Sequence, residues 1–134
     1  MKKDIPDNTV SGVTIAIAKK VEDGEEQWHA YLLNQNKFEI DNVLITSKGY
    51  GKKDGEEVKT SVTRQMIEHV APNSATVIEP IDPALFVLNN EYWVSYYIKR
   101  DIYDKKFVFL SDSVTEEHMI PLSMLEGIEG VLHY

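Results

Sequence analysis

The chain is predicted to fold as an all-β antiparallel sandwich of about seven or eight strands, immunoglobulin-like, with one short C-terminal helix. A closed β-barrel is the alternative. Three observations point there. Several short runs alternate apolar and polar residues with a period of two. Turn residues recur about every 8–12 positions. The stretch Asn90–Leu110 is dense in aromatic and β-branched side chains, which suit a pleated sheet face.

Residues 1–9 are polar, contain Pro6 and read as a loose arm; residues 10–134 read as one sandwich domain. In the first run Val13, Ile15 and Ile17 share one face and Thr14, Ala16 and Ala18 the other, which predicts a strand with one buried face. Glu22–Glu26 is a charged turn with Asp23-Gly24 as its hairpin signal. Trp28, Ala30 and Leu32 then alternate with His29, Tyr31 and Leu33; both faces are largely apolar, so this strand is expected to be more central. Asn34-Gln35-Asn36 is a turn. Phe38 and Ile40 precede Asp41-Asn42, a bulge or short turn, and Val43–Thr46 continues extended.

Lys48–Gly55, with three glycines, is expected to be a flexible loop. Val58–Val70 fits either a helix or a strand; the cluster Thr60-Ser61-Val62-Thr63 disfavours helix, so a strand is predicted. Ala75–Ile78 is a short strand ended by Pro80 and Pro83. Leu85–Leu88 leads into the central pair, where Tyr92–Ile98 and Phe107–Leu110 are strands joined by a polar connection. Ser113-Val114-Thr115-Glu116 matches a capping box, so a helix is expected from about Val114 to Met119, stopped by Pro121. Gly130–Tyr134 reads as a last edge strand. Trp28 and Trp93 are expected as core anchors between the sheets.

A length of 134 residues suits one domain with a real core, and 43% hydrophobic with 27% charged residues is ordinary for a soluble chain. The net charge of -8 opposes phosphate backbones and anionic lipid. There is no cysteine, which excludes disulfides, thiolate metal sites and a cysteine nucleophile. No apolar h-region follows Lys2-Lys3, so no signal peptide is expected, and Val13–Ala18 is too short to cross a bilayer. The expected location is the cytoplasm.

Asn42–Gly51, Asn90–Tyr96 and Lys105–Phe109 carry a resemblance to a small family of bacterial proteins of uncharacterised function, over most of residues 10–132. Some members carry the label phenylalanyl-tRNA synthetase α subunit, which implies a role beside the translation machinery. Such a subunit needs a larger catalytic domain with an arginine in each of two ATP-holding motifs. Only Arg64 and Arg100 are present, neither in such a context, so no catalytic residue carries over.

No catalytic motif survives a test of its spacing. Lys48, Tyr50, Lys52 and Lys53 are the candidate binding residues: with Gly49 and Gly51 they could hold an anionic group through ammonium and backbone N–H donors. A Walker loop would need G-x-x-x-x-G-K-[ST] between strand and helix, and this stretch has neither the spacing nor the helix. His29, His69, His118 and His133 show no ligand spacing, so no metal and no cofactor are expected. Glu22, Asp23, Glu25 and Glu26, Glu56 with Glu57, and Glu116 with Glu117 suit solvated faces better than a glycosidase pair. Ser95, His69 and Asp101 can be written as a triad, as can several other sets, and no G-x-S-x-G elbow exists. Lys99, Arg100, Lys105 and Lys106 beside Tyr96, Tyr97 and Tyr103 form a basic-aromatic cluster, but Asp101, Asp104 and the net charge oppose nucleic acid. The first expectation is a non-enzymatic binding or assembly module for a protein partner or a second copy. The alternative is a small anionic ligand or an enzymatic role at Lys48–Lys53.

Overall fold

The structure is a computed structural model that describes residues 9–133. The expected arm lies, apart from Thr9, outside the described residues. Among the described residues, ten strands form two antiparallel sheets that stack as a sandwich and do not close into a barrel. The first sheet runs β6 (Ser74–Pro80), β2 (Glu25–Asn34), β1 (Val13–Glu22), β10 (Glu129–His133), β9 (Ile120–Pro121). In the second, β3 (Ile40–Lys53) pairs on one side with β7 (Asn89–Ile98), which pairs with β8 (Asp101–Phe109). On its other side β3 pairs with β5 (Thr63–Val70) along its first part and β4 (Glu56–Lys59) along its last. The count exceeds expectation because the 58–70 run breaks at residues 60–62 and because β9 is a two-residue bridge.

Turn chemistry sets these ladders. Asp23-Gly24 (φ 52° and 79°) and Asp54-Gly55 (φ 54° and 80°) are the two-residue turns, left-handed at both positions, whose twist matches paired strands. The second of these moves the expected loop. Lys48–Lys53 is strand, and only Asp54-Gly55 turns. The central pair is also tighter than expected: Lys99-Arg100 alone connects β7 to β8, and Asp104-Lys105-Lys106 lies in the ladder. Asn42 (φ 48°) sits at a break in the β3–β7 register, so Asp41-Asn42 is a bulge.

Alternation then decides what is buried. Val13, Ile15, Ile17, Ala30 and Leu32 face Val43, Ile45, Tyr92, Val94, Tyr96, Phe107 and Phe109 across the inter-sheet space. Fully burying each large side chain contributes about 1.5–3 kcal/mol. Trp28 is half-buried against this core, edge-on to Phe86 at 5.0 Å. Trp93 is not in it: its position on β7 alternates with Tyr92 and Val94, so it points outward and is 47% exposed.

Strand β1 is buried on both faces, not one. Ala16, Ala18, Tyr31 and Leu33 form a second cluster on the outer face of the first sheet, covered by Leu122, Met124, Leu125 and Ile128. Small residues allow that close approach. A side chain at Gly130 would place its Cβ 2.8 Å from both Ala18 Cβ and the Ile17 carbonyl. Between β1 and β9, β10 is interior where β9 reaches it, rather than an edge. The expected helix shortens to a 3-10 turn at Glu116–His118. Ser113 does not cap it; the Thr115 hydroxyl meets the His118 ring instead of a backbone N–H. A second 3-10 turn spans Pro83–Val87, with the Asp82 carboxylate accepting from the Ala84 N–H at 2.9 Å.

Asn34 closes one end of the sandwich. Its buried amide donates to the carbonyls of Phe38 and Ala71, both at 3.0 Å, and accepts from the Asn36 N–H at 3.1 Å. Asn34→Ala leaves those carbonyls without a donor, so it should lower unfolding free energy by about 1–3 kcal/mol. A urea titration reads this as a lower midpoint at unchanged slope; an unmoved midpoint would show that the amide ties nothing together.

Candidate functional site

The candidate surface is the outer face of the second sheet. Register places its residues in rows across β5, β3, β7 and β8. One row is Arg64, Thr46, Trp93 and Lys106; the next is Met66, Leu44, Ser95 and Asp104. Tyr97 and Ile102 pair in the row beyond. Met66 is 68% exposed, Ile102 52% and Tyr97 37%, so with Trp93 these side chains make an apolar patch centred on β7. Polar groups rim it, and the Lys106 ammonium lies 5.1 Å from the Trp93 ring centre. On the first sheet Ala16, Ala18, Tyr31 and Leu33 are covered by the chain's own residues 122–128, while Val77 on β6 stays exposed.

The predicted binding residues sit at one end of this face. Lys48 and Tyr50 lie in one row beyond another along β3, and both turn towards Glu91, a buried carboxylate on β7. The Lys48 ammonium is 3.7 Å from Glu91 and 5.8 Å from the Tyr50 ring centre, and the Tyr50 hydroxyl donates to Glu91 at 3.4 Å. Lys106 approaches the same carboxylate at 3.9 Å. Burial, then the Glu91 charge, pushes the Tyr50 phenol up. Lys52 and Lys53 do not join them; they stand opposite Glu57 and Glu56 in the β3–β4 ladder. The corner therefore carries its own countercharge where an anion would sit.

The basic-aromatic cluster divides between faces. Tyr96 is buried and stacks on Tyr103 at 5.4 Å, and burial pushes its phenol up to about 12. The ammonium of Lys105 lies over Phe107 on the inner side and that of Lys106 over Trp93 on the outer. The written triad is not assembled either: His69 Nδ1 is bound by Asp41 at 2.9 Å and Glu39 at 3.3 Å, not by Ser95 or Asp101. Of the other histidines, His118 Nδ1 meets the Ser113 carbonyl at 2.9 Å, and His133 packs edge-on to Phe107 and Phe109.

The Glu39–Asp41–His69 group is a convergence that spacing could not reveal, since it depends on β3–β5 register. All three are at the surface, and both carboxylates address one imidazole nitrogen, which is the arrangement of a charged donor between two acceptors. No helix among the described residues is long and apolar enough to cross a membrane. Compared with known proteins, the chain matches no family model, no curated protein and no solved structure.

The hydrogen bond that His69 donates to Asp41, with added attraction from Glu39, holds the His69 imidazolium above its ordinary value of 6.5. The same bond holds Asp41 below its ordinary 3.8. A raised histidine stabilises the fold fully below 6.5 and loses that contribution as pH rises through the folded value. A lowered aspartate contributes fully above 3.8 and loses it as pH falls through its own folded value. The contact is therefore complete between those two values. An NMR titration should place the His69 midpoint above 6.5 and bring it down in Asp41→Asn; identical midpoints would remove the ion pair.

Proposed function

We propose that this protein is a non-enzymatic binding module of the cytoplasm that assembles with a second copy of itself through the outer face of the β5–β3–β7–β8 sheet. One observation carries the reading. The chain covers the outer face of its first sheet with its own apolar segment, yet leaves Met66, Trp93, Tyr97 and Ile102 open on the second. Contiguous exposed apolar surface with a polar rim is the usual mark of an interaction site.

The residue pattern suits a second copy as occupant. A two-fold axis along the Met66–Leu44–Ser95–Asp104 row sets Arg64 against the second copy's Glu68 and Trp93 against its Tyr97, and each residue of the row against its own copy, with the exposed Asp104 at the solvated rim. Such a contact is self-complementary, as a closed dimer requires. Salt screens the repulsion expected between two chains of net charge -8 beyond about 10 Å. The absence of cysteine is consistent with a reducing compartment. The anion-binding alternative at Lys48, Tyr50, Lys52 and Lys53 is disfavoured by Glu91, which already faces Lys48. The resemblance to the uncharacterised bacterial family, and a role beside the translation machinery, add no chemistry to this reading.

Light scattering at concentrations on the order of 10–100 µM should give the mass of two chains. Met66→Lys and Trp93→Ala, at exposed positions, should each give the mass of one while leaving the unfolding midpoint of the monomer nearly unchanged. A wild-type monomer throughout, or dimers in both variants, would end the proposal.

A further inference from the structure

The last strand of a sheet offers a row of N–H and C=O groups to any strand that can pair with it, and folded proteins blunt such edges with bulges, prolines, short strands or lysines. Most outer strands of this sandwich carry such a device. Strand β6 is kinked where Ile78 is the extra residue between the Ala30–Glu79 and Tyr31–Val77 pairs, and it ends at Pro80. Strand β9 has two residues, one of them Pro121, and β4 has four, beginning with Glu56 and Glu57. Strand β8 carries Lys105 and Lys106 between Asp104 and Phe107. Strand β5 differs. It runs for eight residues with no proline and no lysine, and its register with β3 is unbroken.

We infer that the free edge of β5 is a pairing site for the β5 strand of a second copy, antiparallel and centred on Met66. Among the described residues, residues 63–69 make no backbone hydrogen bond outside the ladder with β3. Alternate residues of a strand address opposite neighbours, so half of these backbone groups point away from β3. The edge contact does not rest on the face contact proposed above. Its two-fold axis stands perpendicular to the sheet, and it joins two sheets side by side instead of covering one with the other.

Charge selects the occupant and the register. An axis through Met66 sets Arg64 opposite the second copy's Glu68, Gln65 opposite its Ile67, Thr63 opposite its His69, and Met66 opposite itself. Residues equidistant from Met66 are an even number of positions apart, so each pair shares a face of the joined sheet. Arg64 and Glu68 are exposed, and neither forms an ion pair among the described residues. The pairing gives both a partner, twice by symmetry, and opposite charges at facing strand positions attract. No like charges meet. Met66, exposed and unbranched, adapts to packing on its own copy. The same operation on β8 fails: the register that matches Asp104 with Lys106 sets Lys105 against itself.

The contact offers main-chain bonds and few buried side chains, so its dissociation constant is expected on the order of 1 mM, weaker than the face contact. Arg64 and Glu68 also border the outer face, so the test uses full-length Trp93→Ala, in which that face is disabled. In an NMR series on this variant from about 0.1 to about 3 mM, translational diffusion should slow towards that of two chains, and the amides of residues 63–69 should shift most. A mixture of labelled and unlabelled chains should show contacts between Met66 methyl groups of different copies. Adding Arg64→Glu should weaken association about tenfold. Arg64→Glu together with Glu68→Arg should restore it, because the exchange rebuilds the pair in this antiparallel register. Constant diffusion, largest shifts on another strand, undiminished association with Arg64→Glu, or a double exchange as weak as the single change would overturn the inference. Each of those results leaves the face contact of the unaltered chain untouched.

Discussion

Pairing satisfies a strand's backbone but leaves it with two faces, and each apolar face needs cover that the ladder cannot supply. Two stacked sheets therefore present four faces, of which stacking hides two. In this protein Ile15, Ile17 and Leu32 meet Tyr92, Val94 and Phe107 across that inner space. A third face is handled within the chain. Residues 119–128 fold back on themselves, with the Leu122 N–H bonded to the Ile128 carbonyl, and press Leu122 and Leu125 onto Ala16 and Ala18. The small side chains beneath, and Gly130 beside them, set how close that segment can come. The fourth face is left with tryptophan, tyrosine, methionine and isoleucine outward. Assembly is how such a face is commonly covered.

Three polar groups at the rim of the inner space are held by partners from more than one element. Asn34 ties the end of β2 to the segments flanking β3 and β5. Lys19 bonds Glu26 at 3.0 Å and Glu116 at 2.6 Å, so β1 holds its hairpin partner and the loop after β8 together; these bonds raise the ammonium's affinity for its proton. Glu79 bridges sheet to sheet through three hydroxyls, and burial with the Glu79 charge keeps the Tyr92 phenol protonated well above its ordinary range.

Much of the scaffold was legible in the residues. The Asp23-Gly24 turn, the alternation in Val13–Ala18 and the aromatic run of β7 each follow from local chemistry, and local chemistry is what a sequence displays. Lys48–Lys53 was misleading for a physical reason. Glycine and lysine argue for a solvated loop, but Gly49 lies in a strand ladder where a Cβ would come 3.1 Å from the Thr60 side chain, a tight contact. Trp93 failed differently. Period two separates the faces of β7, yet both carry aromatics, so nothing local says which is inside. The cover supplied by Leu122–Ile128 has no period at all, and the inward turn of Glu79 depends on a bulge defined only by its pairing with β2. The candidate sites are built from register, and register was the part that could not be read.

The central claim is that one outer sheet face is bare in the single chain and covered in the assembled one. The chain's two tryptophans report on it separately, since Trp28 packs against the core and Trp93 lies on that face. In an NMR dilution series the Trp93 indole N–H signal should move with protein concentration while the Trp28 signal stays fixed. Two signals that both ignore dilution would contradict the account, and a moving Trp28 with a fixed Trp93 would place the contact on a different surface.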